Sequence, residues 1–383
     1  MSTRRTDVTT MRILHVSEAL GGGITSAISA MVEATPELDH HLLARPRTAH
    51  DTGTDLARLF TSVTMLPRNP VAAVGSVRRR VRELFPDIVH AHSSVAGAVV
   101  RIAGLRGARV VYSPHCFAFE RRDLSALQRR AFTGIERGLA ARTDLLLAVA
   151  PSELDLAVGL GHDTVAYAPN RPVDPALRRA GFSRPLHIVA AGRICRQKDW
   201  HYLLHVKRYA ENQLGLRARW TWLGGGEPAD ERQLAAAGVE VTGWLGQDEI
   251  LDRLADAQVY LHTAAWEAAP LSILEAASAG LPLAVRSIPP LDSLDLPGLA
   301  GSAVALAHRL ADLEAPHHWY AAQRASLTLA ARHSREHQRR SLLDAYGRVL
   351  GRADEAELPT ELPTEWTARA VLPQRRVVLG LPS

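Results

Sequence analysis

Short apolar runs alternate with longer stretches whose apolar positions recur every three to four residues, in the order strand, helix, strand, and this order occurs twice along the chain. In the first half, residues 12–16, 88–91, 109–112 and 145–149 read as strands, with helices beginning near Ile24, Val71, Ala96, Leu124 and Ser152. In the second half, residues 186–190, 218–223, 239–242, 259–262 and 282–285 play the same part. Strands so uniformly apolar are buried on both faces, which predicts parallel sheets covered by helices. Between the halves lies Ala168-Pro-Asn-Arg-Pro-Val-Asp-Pro175, whose prolines and turn residues mark a linker. Residues 316–350 read as mostly helical.

Two doubly wound α/β domains facing a central cleft follow from this pattern. The expected division is a disordered start at 1–10, a first domain over 11–170, a linker over 171–184, a second domain over 185–325, a terminal helical segment over 326–350 and a loosely ordered tail over 351–383. The length of 383 residues agrees, because one hydrophobic core stops growing at roughly 250 to 300 residues. With 46% hydrophobic and 22% charged residues, disordered and fibrous classes are excluded. Absence of any apolar run of about 18 residues excludes a membrane-spanning helix, and the first residues lack the apolar core of a secretory leader, so a cytoplasmic chain is expected. Cys116 and Cys195 fall in unrelated segments and make neither a disulfide framework nor a metal pair.

Charge is unevenly spread. Residues 1–180 hold 23 basic against 17 acidic side chains, whereas residues 181–350 are balanced at 18 each. The surplus in the first half suits an anionic partner. Arginine dominates, with lysine only at Lys198 and Lys207. Residues 71–84 set Arg78, Arg79, Arg80 and Arg82 beside Val74, Val77, Val81 and Leu84, a basic amphipathic helix that suits an anionic membrane surface or, equally, an ordinary solvated face. No aromatic-interleaved platform accompanies the arginines, so nucleic acid is not expected as a partner.

Two glycine turns follow strand patterns: Gly21 to Gly23, ahead of the first helix, and Gly224 to Gly226. Such turns let backbone amides and a helix dipole approach a phosphate, or are simply tight. Gly224, Gly226 and Ala229 match a dinucleotide fingerprint, but the turn follows the second strand of its half, and Glu240 begins the next strand instead of ending it, which disfavours a nicotinamide enzyme.

The most informative stretch is residues 264–282. Pro270 suits the first turn of a helix and Gly280 the residue after its end, so Glu267 lies just ahead of the helix and Glu275 inside it. At about 1.5 Å per residue, Glu275 stands roughly 7.5 Å along the axis from Pro270. An anion pocket flanked by two carboxylates fits a nucleotide sugar, with the diphosphate on the helix terminus and hydroxyls on the carboxylates. Arg193 and Lys198, on the turn after residues 186–190, add two cations that offset a diphosphate and stabilise it as a leaving group.

Arg193 and Lys198, the glycine turn, then Glu267 and Glu275 with seven residues between them, followed by Gly280-Leu-Pro282, resemble the retaining glycosyltransferases of family 4, which have the GT-B fold. The resemblance runs from about Met11 to Leu350 and implies two Rossmann-like domains with a C-terminal helix returning to the first. By similarity Arg193 and Lys198 hold the donor diphosphate, Glu275 the ribose, and Glu267 the transferred sugar. Ala269, Pro270 and Leu271 meet the phosphates through their loop, Gly224 belongs to the donor side, and Gly22 and Gly23 lie across the cleft. His115, in Tyr112-Ser-Pro-His-Cys-Phe-Ala-Phe119, matches a histidine placed near the donor sugar. Asp199 stands where many members have glycine, and Ala268-Ala-Pro270 where a glycine and an aromatic are frequent, departures that bear on the donor sugar.

The resemblance implies a metal-independent hexosyltransferase without a cofactor, taking a UDP- or GDP-sugar to a saccharide or lipid-linked acceptor in cell-envelope, exopolysaccharide or glycolipid synthesis. His90 and His92 share a strand face but show no third metal ligand, so no metal is expected. In the cytoplasm, such an enzyme could sit peripherally at the inner face of the plasma membrane. The alternatives are a nucleotide-sugar epimerase on the same fold, which needs acid and base groups around the sugar, and a non-catalytic scaffold, against which the intact Arg193, Lys198, Glu267 and Glu275 speak.

Overall fold

The computed structural model describes residues 10–46, 56–172 and 178–351. Seven strands form the first sheet: β1 (Arg12–Leu20), β2 (Asp39–Pro46), β3 (Ser62–Met65), β4 (Ile88–His92), β5 (Arg109–Ser113), β6 (Leu145–Ala148) and β7 (Val165–Tyr167). They run parallel in the order β3-β2-β1-β4-β5-β6-β7. Six more form the second: β8 (Leu186–Ala191), β9 (Ala218–Leu223), β10 (Glu240–Val241), β11 (Val259–His262), β12 (Leu283–Arg286) and β13 (Leu299–Ala300). Their order is β10-β9-β8-β11-β12-β13, again parallel. Each sheet therefore reverses its strand order beside its first strand, between β1 and β4 and between β8 and β11. Such a reversal opens a crevice at the carboxyl ends of the strands, where ligands of doubly wound sheets bind.

The central strands are the ones the hydrophobic pattern predicts, and β4, β6 and β11 are buried along their whole length. The pattern misses β2, β3, β7 and β13. Strand β2 opens on Asp39, His40 and His41, polar residues that interrupt an apolar pattern; His40 and His41 are buried here and hydrogen-bonded. Strand β3 is an edge strand of four residues with alternate positions exposed, and β7 and β13 have only three and two residues.

The basic helix spans Pro70–Leu84, started by the Asn69 side chain, which accepts from the Ala72 amide at 3.1 Å, and ended by Phe85 in the left-handed region. Its apolar stripe is committed to the core: Ala73, Val77 and Val81 are buried against the sheet. Arg78 donates to the Ala103 carbonyl, and Arg80 to Glu83 and Ser62. Lipid therefore meets no continuous apolar face on this helix. Among the described residues no helix is long and apolar enough to cross a membrane.

After the second sheet, the helix Pro316–Arg332 packs on the helix Leu271–Ser278, and the chain turns at His333 and Ser334 into the helix Arg335–Val349. This last helix returns to the first sheet. Its Leu342, Ala345 and Tyr346 share a core with Ile13, Ile88, Leu145 and Leu147. The crossing is tied at both strands of chain: His333 Nδ1 donates to the Asn170 carbonyl at 2.7 Å, and Gln338 Nε2 to the Pro169 carbonyl at 3.0 Å.

Candidate active site

On the second sheet, the turns after β8, β9 and β11 are stitched together by backbone hydrogen bonds. The Gly192 amide donates to the Leu223 carbonyl at 2.9 Å, that of Ile194 to Gly225 at 2.9 Å, and that of Ala265 to Gln197 at 2.8 Å. Thr263 Oγ1 donates to the Lys198 carbonyl at 2.8 Å. One continuous loop wall results, at the carboxyl end of the strand-order reversal. Arg193 is exposed on it.

Lys198 and Glu267 meet in this wall. Lys198 Nζ stands 2.6 Å from Glu267 Oε1, with the two side chains only 18% and 13% exposed. Burial pushes the Lys198 ammonium down, but the Glu267 carboxylate outweighs it and holds Lys198 protonated, above its ordinary range. Pro270 does not enter the helix as expected; it occupies the N-cap position, with extended backbone, and the helix is Leu271–Ser278. The helix starts without a side-chain cap, the Ile273 amide donating to the Pro270 carbonyl at 3.2 Å. Glu275 lies within the helix and is buried. Burial raises its pKa, opposed by Gln247 Nε2, which donates to Oε1 at 2.8 Å, and by Lys198. Gln247 is a member of the site that spacing did not reveal, since it belongs to a different helix.

Gly224 has a packing role. Its φ is +133°, and a Cβ there would stand 2.4 Å from the Gly192 carbonyl oxygen. Its amide is given to Thr242 Oγ1 at 3.1 Å. Gly22 and Gly23 differ: a Cβ at either would meet nothing within 4 Å, and both are exposed at the start of the helix Gly23–Ala34. That helix touches the helix Leu271–Ser278 of the second half.

Across the cleft, β5 ends in a turn held in an unusual conformation. His115 and Cys116 are consecutive non-glycine residues with φ of 49° and 80°. The turn is over-determined. Glu153, buried at the start of the helix Pro151–Leu160, accepts the Cys116 amide on Oε1 at 2.7 Å and the Val149 amide on Oε2 at 2.8 Å. Glu120 accepts the Phe117 amide at 2.8 Å, and Ser94 Oγ the Ala118 amide at 3.0 Å. Burial raises both carboxyls to about 7, and the Glu153 charge adds to the shift at Glu120. The Cys116 thiol is pushed well up by burial and by Glu120, Glu267 and Glu153 in turn, which makes it an inert thiol and places Glu267 close across the cleft. Ala268 and Ala269 complete the approach, packing in the core of the first half beside Cys116. His115 Nε2 lies 3.0 Å from His92 Nδ1, while its Nδ1 has no partner among the described residues.

The structure thus brings Lys198, Glu267, Glu275, Ala269, Pro270 and Leu271 to one wall and His115, Gly22 and Gly23 to the other, with Arg193 exposed on the first. Glu153, Glu120 and Gln247 join them. An acid placed at the start of a helix that follows a buried strand was the available signal for Glu153.

Residues 22–171 match the family described as glycosyl transferase 4-like domain, and residues 185–313 the family described as glycosyl transferases group 1. A Klebsiella pneumoniae protein, described as an uncharacterized 41.2 kDa protein in a cps region, is 23% identical over 314 residues, covering 77% of this chain and 86% of its own. An Escherichia coli UDP-Gal:alpha-D-GlcNAc-diphosphoundecaprenol alpha-1,3-galactosyltransferase is 27% identical over 227 residues, 53% of this chain and 58% of its own length. The solved structure of Anabaena HepE in complex with UDP superposes with a TM-score of 0.71 at 16% identity, over 88% of this chain and all of that one.

Proposed function

Because the chain belongs to the family 4 glycosyltransferases with the GT-B fold, we propose that it moves a hexose from a uridine-diphosphate sugar to an acceptor hydroxyl with retention. The observation that carries this reading is the half-buried Lys198–Glu267 pair beside the amino end of the helix Leu271–Ser278, with Glu275 inside that helix. Lys198, Arg193 and the first-turn amides take the diphosphate. Glu275, with Oε1 already bonded to Gln247, offers its other oxygen to the ribose hydroxyls. Glu267 and His115 face the sugar from opposite walls.

On this reading the acceptor oxygen bonds to the anomeric carbon from the face the diphosphate leaves. The bond from that carbon to the phosphate oxygen breaks with its electron pair, and the released oxygen takes the acceptor's proton. No protein base is then required, and stabilisation of the departing charge is the chief contribution of Arg193 and Lys198. Uridine is supported by the UDP held in the Anabaena neighbour and by the UDP-galactose named for the Escherichia coli relative. That relative's diphosphoundecaprenol-linked acceptor supports a lipid-linked acceptor here, met by the basic first half, and a place in cell-envelope or exopolysaccharide synthesis.

A thermal-shift comparison with UDP, GDP and ADP tests the donor site, since a ligand that binds only the folded chain raises the melting temperature by mass action. UDP should raise it, and Glu275→Ala should abolish the rise. A rise with GDP or ADP alone would overturn the choice of base.

A further inference from the structure

The first sheet carries a line of buried imidazoles that runs to the cleft. His40 on β2, His15 on β1, His92 on β4 and His115 after β5 come from four adjacent strands in sheet order. His40 is level with Ile13, His15 stands two residues further up β1, and His92 is level with Ser17, so each step climbs towards the carboxyl edge. The contacts are His40 Nδ1 to His15 Nε2, His15 Nδ1 to His92 Nε2 and His92 Nδ1 to His115 Nε2, each 3.0 Å.

The far end sets the direction of every bond. His40 Nε2 lies 2.9 Å from the Thr35 carbonyl, which can only accept, so the His40 proton is on Nε2. Thr35 Oγ1, also 3.1 Å from that nitrogen, gives its own proton to the Met31 carbonyl. His40 Nδ1 must then accept, His15 Nε2 donate, His15 Nδ1 accept, His92 Nε2 donate, His92 Nδ1 accept and His115 Nε2 donate. Burial pushes the basicity of His15 and His92 well down, that of His40 down, and that of His115 to about 4, so each ring is neutral with one proton and one lone pair.

We propose that the chain His40, His15, His92 fixes His115 with its proton on Nε2 and its Nδ1 lone pair open to the cleft, making His115 an obligate hydrogen-bond acceptor for a hydroxyl of the bound sugar. His40, His15 and His92 are positioning residues, acting on substrate only through His115. The hydroxyl's identity rests on the donor-site reading above; the tautomer does not. The neighbouring His90 is a side branch, taking the Tyr346 hydroxyl on Nδ1 and giving Nε2 to Ser113 Oγ, which itself donates to the Leu147 carbonyl. His15, His90 and His92 also bring nitrogens within 4.8 Å of one another, as a metal site would. Every nitrogen of these rings already has a hydrogen-bond partner, and that arrangement favours the proton chain.

Long-range proton–nitrogen correlation spectra of the full chain, labelled with nitrogen-15 in histidine, read each tautomer without substrate, and His115→Gln assigns the His115 signals. His115 should carry its proton on Nε2 only; protonation on Nδ1, or a mixture, in the unsubstituted protein overturns the proposal. In His40→Leu, which removes the acceptor three rings away, His115 should become a mixture. In His40→Asn, whose Oδ1 can replace the Nδ1 acceptor, it should stay single. A folded His40→Leu with unchanged His115 overturns the proposal, and if that variant does not fold the unsubstituted spectrum decides alone. Loss of the His15 and His92 N–H signals with one equivalent of zinc would also overturn it. With a donor that turns over, kcat/KM in His40→Leu should fall by the share of His115 lost, about two-fold for an even mixture. Absence of glycosyl transfer by the unsubstituted chain would instead count against the proposed function and leave the tautomer result standing.

Discussion

Lys198 Nζ and Glu267 Oε1 stand 2.6 Å apart, so the cation proposed for the diphosphate and the carboxylate proposed for the sugar neutralise one another within a single loop wall. Neither can be removed quietly. Lys198→Ala strips the leaving group of a charge partner and strands a carboxylate beside an anion, so turnover should fall about 10- to 100-fold or more. Arg193→Ala, which leaves no unpaired partner among the described residues, should fall less. Steady-state kcat for both variants tests this, and unchanged rates in both would sink the diphosphate role.

Glu153→Ala leaves the buried Cys116 and Val149 amides without their acceptor. Urea unfolding should show a loss of about 2 to 4 kcal/mol, from two amides at about 1 to 2 kcal/mol each. Activity should fall with it, because the same amide fixes the His115 turn.

Glu153 also carries a pH signature. Its folded pKa of about 7 lies above the ordinary 4.5, so the fold binds its proton more tightly than the unfolded chain does. The associated stability is full below about 4.5 and is lost as pH rises through 7. Glu153→Gln lacks this term. The stability advantage of the unsubstituted protein over Glu153→Gln should therefore shrink by on the order of 3 kcal/mol between pH 4.5 and pH 8, measured by urea unfolding at each pH.

The buried imidazoles act in the opposite sense. Burial lowers the pKa of His15, His90, His92, His115 and His262, so the unfolded chain binds protons that the fold refuses. Stability from these groups is full above the ordinary value of 6.5 and is lost progressively as pH falls below it. Each ring costs about 1 kcal/mol between pH 6.5 and 5.5, and five together about 5 kcal/mol. The melting temperature should drop steeply over that unit, and a flat profile would show that the rings are charged in the fold.

Gly224→Ala and Gly22→Ala separate packing from conformation. The first forces a Cβ to 2.4 Å from a carbonyl oxygen of the neighbouring turn and a φ of +133°, and should destabilise by about 3 kcal/mol or more. The second meets open space and carries only the backbone strain of φ +59° and ψ −140°, about 1 to 3 kcal/mol, so it should cost less than the first. Equal effects on the melting temperature would contradict the close approach of β8 and β9 turns.

The wall proposed for the donor was legible because its members lie near one another in sequence: Pro270 and Gly280 bracket a short helix, and Glu267 and Glu275 are read against that frame. The packing of Gly224 against Gly192 was not legible, since that contact exists only once β8 and β9 lie side by side. His15 and His40 left no signal at all. They stand 25 residues apart, His15 and His92 77 apart, and a hydrogen-bonded histidine in a strand breaks the apolar pattern by which strands are recognised. The basic helix showed its amphipathicity plainly, but periodicity names an apolar face without saying what covers it, and the sheet does.

The chain passes between the two halves twice, at residues 169–172 and again at 333–334, and the His333–Asn170 hydrogen bond ties the two passages side by side. Two passages so joined fix the distance between the facing walls at that edge of the cleft. The Asn170 side chain, donating to the Ala269 carbonyl at 2.8 Å, sits there and grips the loop ahead of the helix Leu271–Ser278. The same residue thus joins the crossing of the chain to the loop that carries Glu267.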